Sequence, residues 1–348
     1  MKIFAMRLGK DFLILIALFV LSAGVYYSGT KFHIPWYGAN DFSQYYQMTL
    51  NPFDNDVGSP FAYRMFVPVI AHFIYESGLF YESSLTPYKD YYLSHRGIDY
   101  EPSILSAIIF TNYIFLALAA FFTYKSTKVI FAQSNHTDHI MPVMLSSLIF
   151  LSFSTNVHGY AGLTEGGALF LVSLLCYLAL KNYLILFSLI CISSILGREL
   201  IPLVLTVYVV FASAQKRRSY FIIVSALAFM MYFALRSYFQ IPGAEHQTDL
   251  NSFISNLLTF SLTKAFFLQA ILANNIPIFV GLLAIYFGGK HLKPFVPYVI
   301  IIVILSVLGI GTGIGNNVGR ILNIATPILV IYLAEMICRL RPQLENIK

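Results

Sequence analysis

Apolar runs close to 20 residues long recur from one end of this 348-residue chain to the other, and most lysines and arginines fall in the short stretches between them. That pattern constrains the fold more than any motif does, because about 20 helical residues cross a hydrocarbon core roughly 30 Å thick. With 58% of residues hydrophobic, 11% charged and a mean hydropathy of +0.72, the composition lies far from that of soluble domains. The expectation is an all-α polytopic membrane protein forming a single transmembrane domain over residues 1–348. The formal charge of +6 invites a nucleic-acid partner, but clusters between apolar runs are what membrane orientation requires, so no nucleic acid is expected. Cys176, Cys191 and Cys338 all sit inside apolar runs, which excludes a disulfide framework and a cysteine-based metal site.

Candidate spans lie near 12–28, 65–82, 103–123, 139–157, 162–181, 183–197, 199–215, 219–239, 265–289, 294–312 and 320–338. The first follows Lys2, Arg7 and Lys10 and reads as a retained span, since its apolar run is long for a signal peptide. Eleven crossings put the basic clusters on alternating sides. Lys125 with Lys128, Lys181, Lys216 to Arg218, Lys290 with Lys293, and Arg339 with Arg341 all become cytoplasmic, together with the amino terminus, only if one early candidate does not cross. The segment "RMFVPVIAHFIYESGLFY" is the one to demote, because Pro68, His72 and Glu76 interrupt its apolarity. It is expected as an amphipathic helix on the outer surface, leaving about ten transmembrane helices with both termini cytoplasmic. Residues 29–102 then form a first outer loop with its juxtamembrane helix. Residues 240–263 form a second, whose Phe253, Leu257, Leu258 and Leu262 make an apolar stripe.

That topology gathers the charges not used for orientation on one side: Asp41, Arg64, Glu165, Arg198, Glu199, Arg236 and Arg320. The 16 residues between Lys181 and Arg198 give only about 24 Å of helix, short for the hydrocarbon core, so "SSILGREL" should sit sunken. A charge within the membrane costs about 2.5–3.5 kcal/mol on insertion scales, so such residues mark polar cavities. The adjacent Arg198 and Glu199 are expected to line the floor of an outward-facing cavity. They also fit a tight interhelical turn whose side chains bond loop carbonyls or neighbouring helices. Glu165, in "GLTEGGALF", likewise fits a first-turn carboxylate favoured by the helix dipole.

The first outer loop carries the only tryptophan, Trp36, several tyrosines, and Asp41, Asp54 and Asp56. Its aromatics suit both interfacial anchoring and platforms for sugar rings. "DND" is compatible with a divalent-cation site, although two carboxylates in a turn flanked by proline and glycine are more often an Asx turn. No cofactor is expected, and a divalent cation is the open alternative.

The layout resembles the GT-C superfamily of integral membrane glycosyltransferases, which use polyprenyl-phosphate-linked sugars. One span leads to an outer loop bearing an aspartate in "GANDFSQYY", then "PFAYRMFVP" enters a surface helix, and "TEGG", "GRELIP" and "NNVGRILNIATP" follow in order. The resemblance implies a glycosyltransferase of the inverting type in the plasma or inner membrane, with its active site facing outside or the periplasm. It implies Asp41 as general base and a glycan, lipid or protein acceptor. Arg198 with Arg320 would hold the donor phosphate, and Arg64, Glu165, Glu199 and Asn317 complete the candidate substrate-binding set. Asn40 stands where relatives frequently carry a second acid, which weighs against a metal. An O-antigen or exopolysaccharide polymerase, a flippase or transporter of lipid-linked sugars, and a non-catalytic assembly partner are the alternatives.

Overall fold

Among the described residues the elements are twelve α-helices and one 3₁₀ turn, with no strand. The computed structural model describes residues 2–31, 39–52, 57, 64–80, 101–134, 140–152, 164–211, 216–239, 250–260, 296–311 and 322–345. In chain order the helices are α1 (Lys2–Lys31), α2 (Ala39–Leu50), α3 (Phe66–Glu76), α4 (Pro102–Gln133), α5 (Ile140–Leu151) and α6 (Glu165–Lys181). They continue with α7 (Leu184–Ser193), which runs into the 3₁₀ turn Ser194–Leu196, then α8 (Ile201–Phe211), α9 (Arg218–Phe239), α10 (Leu250–Phe260), α11 (Val296–Gly311) and α12 (Thr326–Glu345). Two of them, over Ser103–Gln133 and Arg218–Tyr238, are long and apolar enough to cross a membrane.

The long helix α4 is the centre of the molecule. It is apolar on every side, as a helix surrounded by others must be, and it packs against α1, α3, α5, α6 and α12. Ala107, Ala117, Ala119 and Ala120 are fully enclosed, and these small side chains let neighbouring backbones approach closely. Against α6 the approach is closest at two glycines. A Cβ on Gly166 would lie 2.7 Å from the backbone oxygen of Asn112, and one on Gly167 would lie 2.5 Å from Cγ2 of Val67 on α3. Phe66, Phe115 and Phe170 stack across the same three helices, with centroids 5.0 and 5.2 Å apart along the stack. At the other end of α4, Lys125 and Lys128 both donate to Asp11 of α1, at 2.6 and 2.9 Å.

The helix α3 is eleven residues long, about 16 Å, roughly half the thickness of a hydrocarbon core. It stops at Glu76 because Gly78 takes a left-handed φ of 69°. Val67, Pro68 and Ala71 are buried toward the bundle and Phe73 is exposed, giving the two-sided character that the sequence suggests. The apolar stripe read over 253–262 divides: Phe253 packs where Gly311 of α11 has no side chain, Leu257 joins the main core, and Leu258 points outward. Leu262 lies outside the described residues.

Helices α6 and α7 form a hairpin closed by Asn182 at φ 57°. Tyr183 N–H donates to the Leu178 carbonyl and Asn182 N–H to that of Ala179, the six-to-one and five-to-two bonds of a helix stop. The hairpin holds the turn that follows α7 against the beginning of α6, and that juxtaposition builds the site.

Candidate functional site

The stretch "SSILGREL" folds in three steps. The last turn of α7 tightens to 3₁₀ geometry at Ser194–Leu196, and the N–H groups of Gly197 and Arg198 both reach the Ser194 carbonyl, at 2.9 and 3.0 Å. Gly197 then passes close to α6, where a Cβ would lie 2.5 Å from Leu171 Cδ1 and 3.2 Å from the Ser194 carbonyl oxygen. Four residues after Gly197 α8 begins at Ile201, with Pro202 in its first turn where the missing N–H is harmless.

Arg198 and Glu199 leave this turn in different directions and do not pair with each other. Arg198 Nη1 donates to Glu165 Oε1 at 2.7 Å, and the two side chains are 5% and 2% exposed. Glu199 accepts from Arg64, the residue two before α3, through both arms of the guanidinium: Nε to Oε2 at 3.0 Å and Nη2 to Oε1 at 2.5 Å. Among the described residues the two acids and two arginines thus form a cluster of two ion pairs. Burying any one of them alone would be prohibitive, and each is enclosed because an opposite charge and directed hydrogen bonds meet it.

Tyr45 on α2 completes the arrangement. Its hydroxyl accepts from Arg64 Nη1 at 3.3 Å and lies 3.5 Å from Thr164 Oγ1, just before α6. Its ring is fully buried with Met48 and Val57. Helix α2 is held further by His72 Nδ1, 2.8 Å from the Thr49 carbonyl. On the far side Tyr232 of α9 lies within electrostatic reach of Glu199, Arg236 and Arg64. Asn112 of α4 caps α6 by accepting from Gly166 N–H at 3.0 Å, which fixes the position of Glu165.

Four of the residues singled out by sequence, Arg64, Glu165, Arg198 and Glu199, therefore come together in one cluster from three distant parts of the chain. The expectation of a cavity floor formed by Arg198 and Glu199 needs amending for Arg198, which is enclosed at 4% exposure with its guanidinium turned to Glu165. Glu199, at 19%, is the most exposed of the four side chains. Asp41 lies in the first turn of α2, four residues before Tyr45 and so one helical turn away; its side chain lies outside what the structure describes. Arg320 and Asn317 lie outside the described residues, as do Trp36, Asp54 and Asp56. Among the described residues no group of three His, Cys, Asp or Glu converges to hold a metal ion.

Tyr45, Thr164 and Asn112 are members of this arrangement that sequence reasoning passed over. Tyr45 is one of two adjacent tyrosines in a loop rich in aromatics, and only its spacing of four from Asp41 hinted at a shared role. No family model, curated protein or solved structure matches the chain.

Proposed function

We propose that the chain is a multi-pass membrane glycosyltransferase that moves a sugar from a polyprenyl-phosphate-linked donor to an acceptor outside the cytoplasm. The observation that carries this reading is the tie between α2 and the buried ion pairs. The helix on which Asp41 lies, one turn before Tyr45, is anchored through the Tyr45 hydroxyl to Arg64 and so to the guanidinium cluster. Transfer from a lipid phosphate needs a base and a cation. A base takes the proton of the acceptor hydroxyl, and cations stabilise the leaving phosphate as its charge grows from about one negative toward two. Contacts that strengthen as charge develops lower the barrier instead of merely tightening binding.

Membrane embedding is supported by the outer surface of the bundle. Phe12, Leu13 and Val20 on α1, Ile185 and Leu189 on α7, and Ile223, Leu227 and Met230 on α9 are all more than half exposed, far beyond what a soluble monomer leaves to water. The connection from α7 through the 3₁₀ turn is about 21 Å long, in keeping with a sunken Arg198. The full reading has about ten spans, cytoplasmic termini and the ion-pair cluster toward the outer face. Cysteine labelling in a cysteine-free background tests it: positions in residues 88–100 should react with an impermeant reagent from outside, and positions near Lys125 and Lys216 should not. Protection of 88–100 together with labelling at Lys125 would make the α3 segment a true crossing.

The chemistry is tested by Asp41→Asn in single-turnover transfer from saturating polyprenyl-phosphate-linked sugar. The variant keeps the side-chain shape and loses the proton acceptor, so turnover should fall by about 10²- to 10⁴-fold while donor lipid still binds. Transfer retained within a few fold would remove Asp41 from the chemistry.

A further inference from the structure

The two ion pairs are not equivalent. In the inner pair, Arg198 and Glu165 are 5% and 2% exposed and joined by one short bond, and both lie at helix termini that the α6–α7 hairpin clamps together. In the outer pair the fork of Arg64 is filled by both oxygens of Glu199, and Glu199 is 19% exposed. A carboxylate bound through Nε and Nη2 occupies the same donor pair in the same plane that two oxygens of a phosphate would take. The remaining arm, Nη1, is bonded to Tyr45 rather than to Glu199, so the guanidinium stays aimed if the carboxylate leaves.

We propose that Arg64 is the phosphate receptor of this site and that Glu199 is its resident placeholder, displaced from the fork when a phosphate arrives. This deepens the glycosyltransferase reading and rests on it for the identity of the donor. It moves the phosphate contact from Arg198, which serves as a strut, to Arg64. Two features make exchange feasible. Glu199 presents the solvent-accessible side of the pair, so an entering anion meets it first. The displaced carboxylate stays within reach of a second cation, since Glu199 already feels the charge of Arg198 next to it in the chain. Arg236, one turn beyond Tyr232 on α9, is exposed, and its charge acts on Tyr232, as does that of Glu199. Without the placeholder, Arg64, whose side chain is 9% exposed, would lose the carboxylate that fills two arms of its fork, and a buried charge stripped of an ion partner is destabilised. The carboxylate therefore keeps the site folded between ligands and sets a threshold that only a strongly held anion passes.

The experiment is equilibrium binding of polyprenyl monophosphate, and in a parallel arm of inorganic phosphate, to detergent-purified protein. Glu199→Gln keeps the shape of the placeholder and weakens its hold on the fork, so it should bind about tenfold more tightly than wild type. Arg64→Lys keeps the charge but loses the bidentate plane and should bind at least tenfold more weakly. Glu199→Asp, one methylene shorter and still charged, serves if the glutamine variant does not fold, and should bind severalfold more tightly. Tightening in both arms identifies the phosphate group alone as the ligand; tightening only with the lipid identifies the lipid-linked form. Unchanged or weaker binding in both Glu199 variants, or wild-type affinity in Arg64→Lys, would overturn the assignment. Displacement without sugar transfer would leave the receptor standing and remove the glycosyltransferase reading, whereas transfer with unaltered affinity in the Glu199 variants would do the reverse.

Discussion

Glu165→Gln isolates what the inner ion pair contributes to the fold. The substitution keeps the volume and one acceptor oxygen but strips the charge that faces Arg198 at 2.7 Å, leaving a guanidinium 5% exposed beside a neutral amide. Breaking a buried pair by removing one partner costs about 3–5 kcal/mol, because the remaining charge loses its hydrogen-bonded ion partner in a poorly polarisable surrounding. At roughly 2 °C per kcal/mol for a chain of this size, the midpoint for loss of the monodisperse species on heating in detergent should drop by about 6–10 °C. The double variant Glu165→Leu with Arg198→Met removes both charges and fills similar volume, and should recover most of that loss. The outer pair sets the scale from the other side. Glu199→Gln should cost only about 1–2 kcal/mol, since Glu199 at 19% exposure is already partly solvated and Arg64 keeps its bond to the Tyr45 hydroxyl. A Glu165→Gln midpoint within 2 °C of wild type, or a double variant less stable than either single one, would refute the assignment of Arg198 as a strut.

Gly166→Ala should lower the same midpoint by about 2–6 °C, because the new methyl meets the backbone of Asn112, which cannot yield as a side chain can; Gly9→Ala, with nothing within 4 Å, serves as the matched control and should leave it unchanged. Asp11 sits just before the first apolar run. Burial acting alone would raise its carboxyl, but the hydrogen bonds from Lys125 and Lys128 outweigh it and hold the pKa below the ordinary aspartate value. A lowered folded-state pKa contributes stability above the unfolded value of about 3.9 that disappears as pH falls through the folded one. The stability difference between wild type and Asp11→Asn should therefore be constant from about pH 8 to 5 and shrink only below about pH 4, as measured by denaturation midpoints across that range.

Much of the fold is legible in the chain because the forces that set helices in an apolar protein are local. An uninterrupted run such as 103–123 has to satisfy its own backbone, and a helix does so within the segment. The break of α3 near Glu76 is written in "ESGLFY", where serine and glycine end the helix, and α10 in the spacing of Phe253 and Leu257. Close packing is less legible. "TEGG" announces a flexible or crowded position, but whether Gly166 meets a ligand or another backbone depends on where Asn112 arrives from 54 residues away.

The candidate site divides along the same line. By itself the sequence set Arg64, Glu165, Arg198 and Glu199 apart as charges that need either a polar cavity or a bonded partner, since an ionised group within apolar surroundings is costly. Only the tertiary structure decided which. Arg198 and Glu199 are neighbours in the chain, yet the turn at Gly197 sends one to Glu165, 33 residues back, and the other to Arg64, 135 residues back. Partner choice depends on which helix ends the α6–α7 hairpin and α2 bring within 3 Å, and hydrogen-bond geometry at that range is set by packing between elements and not by order along the chain.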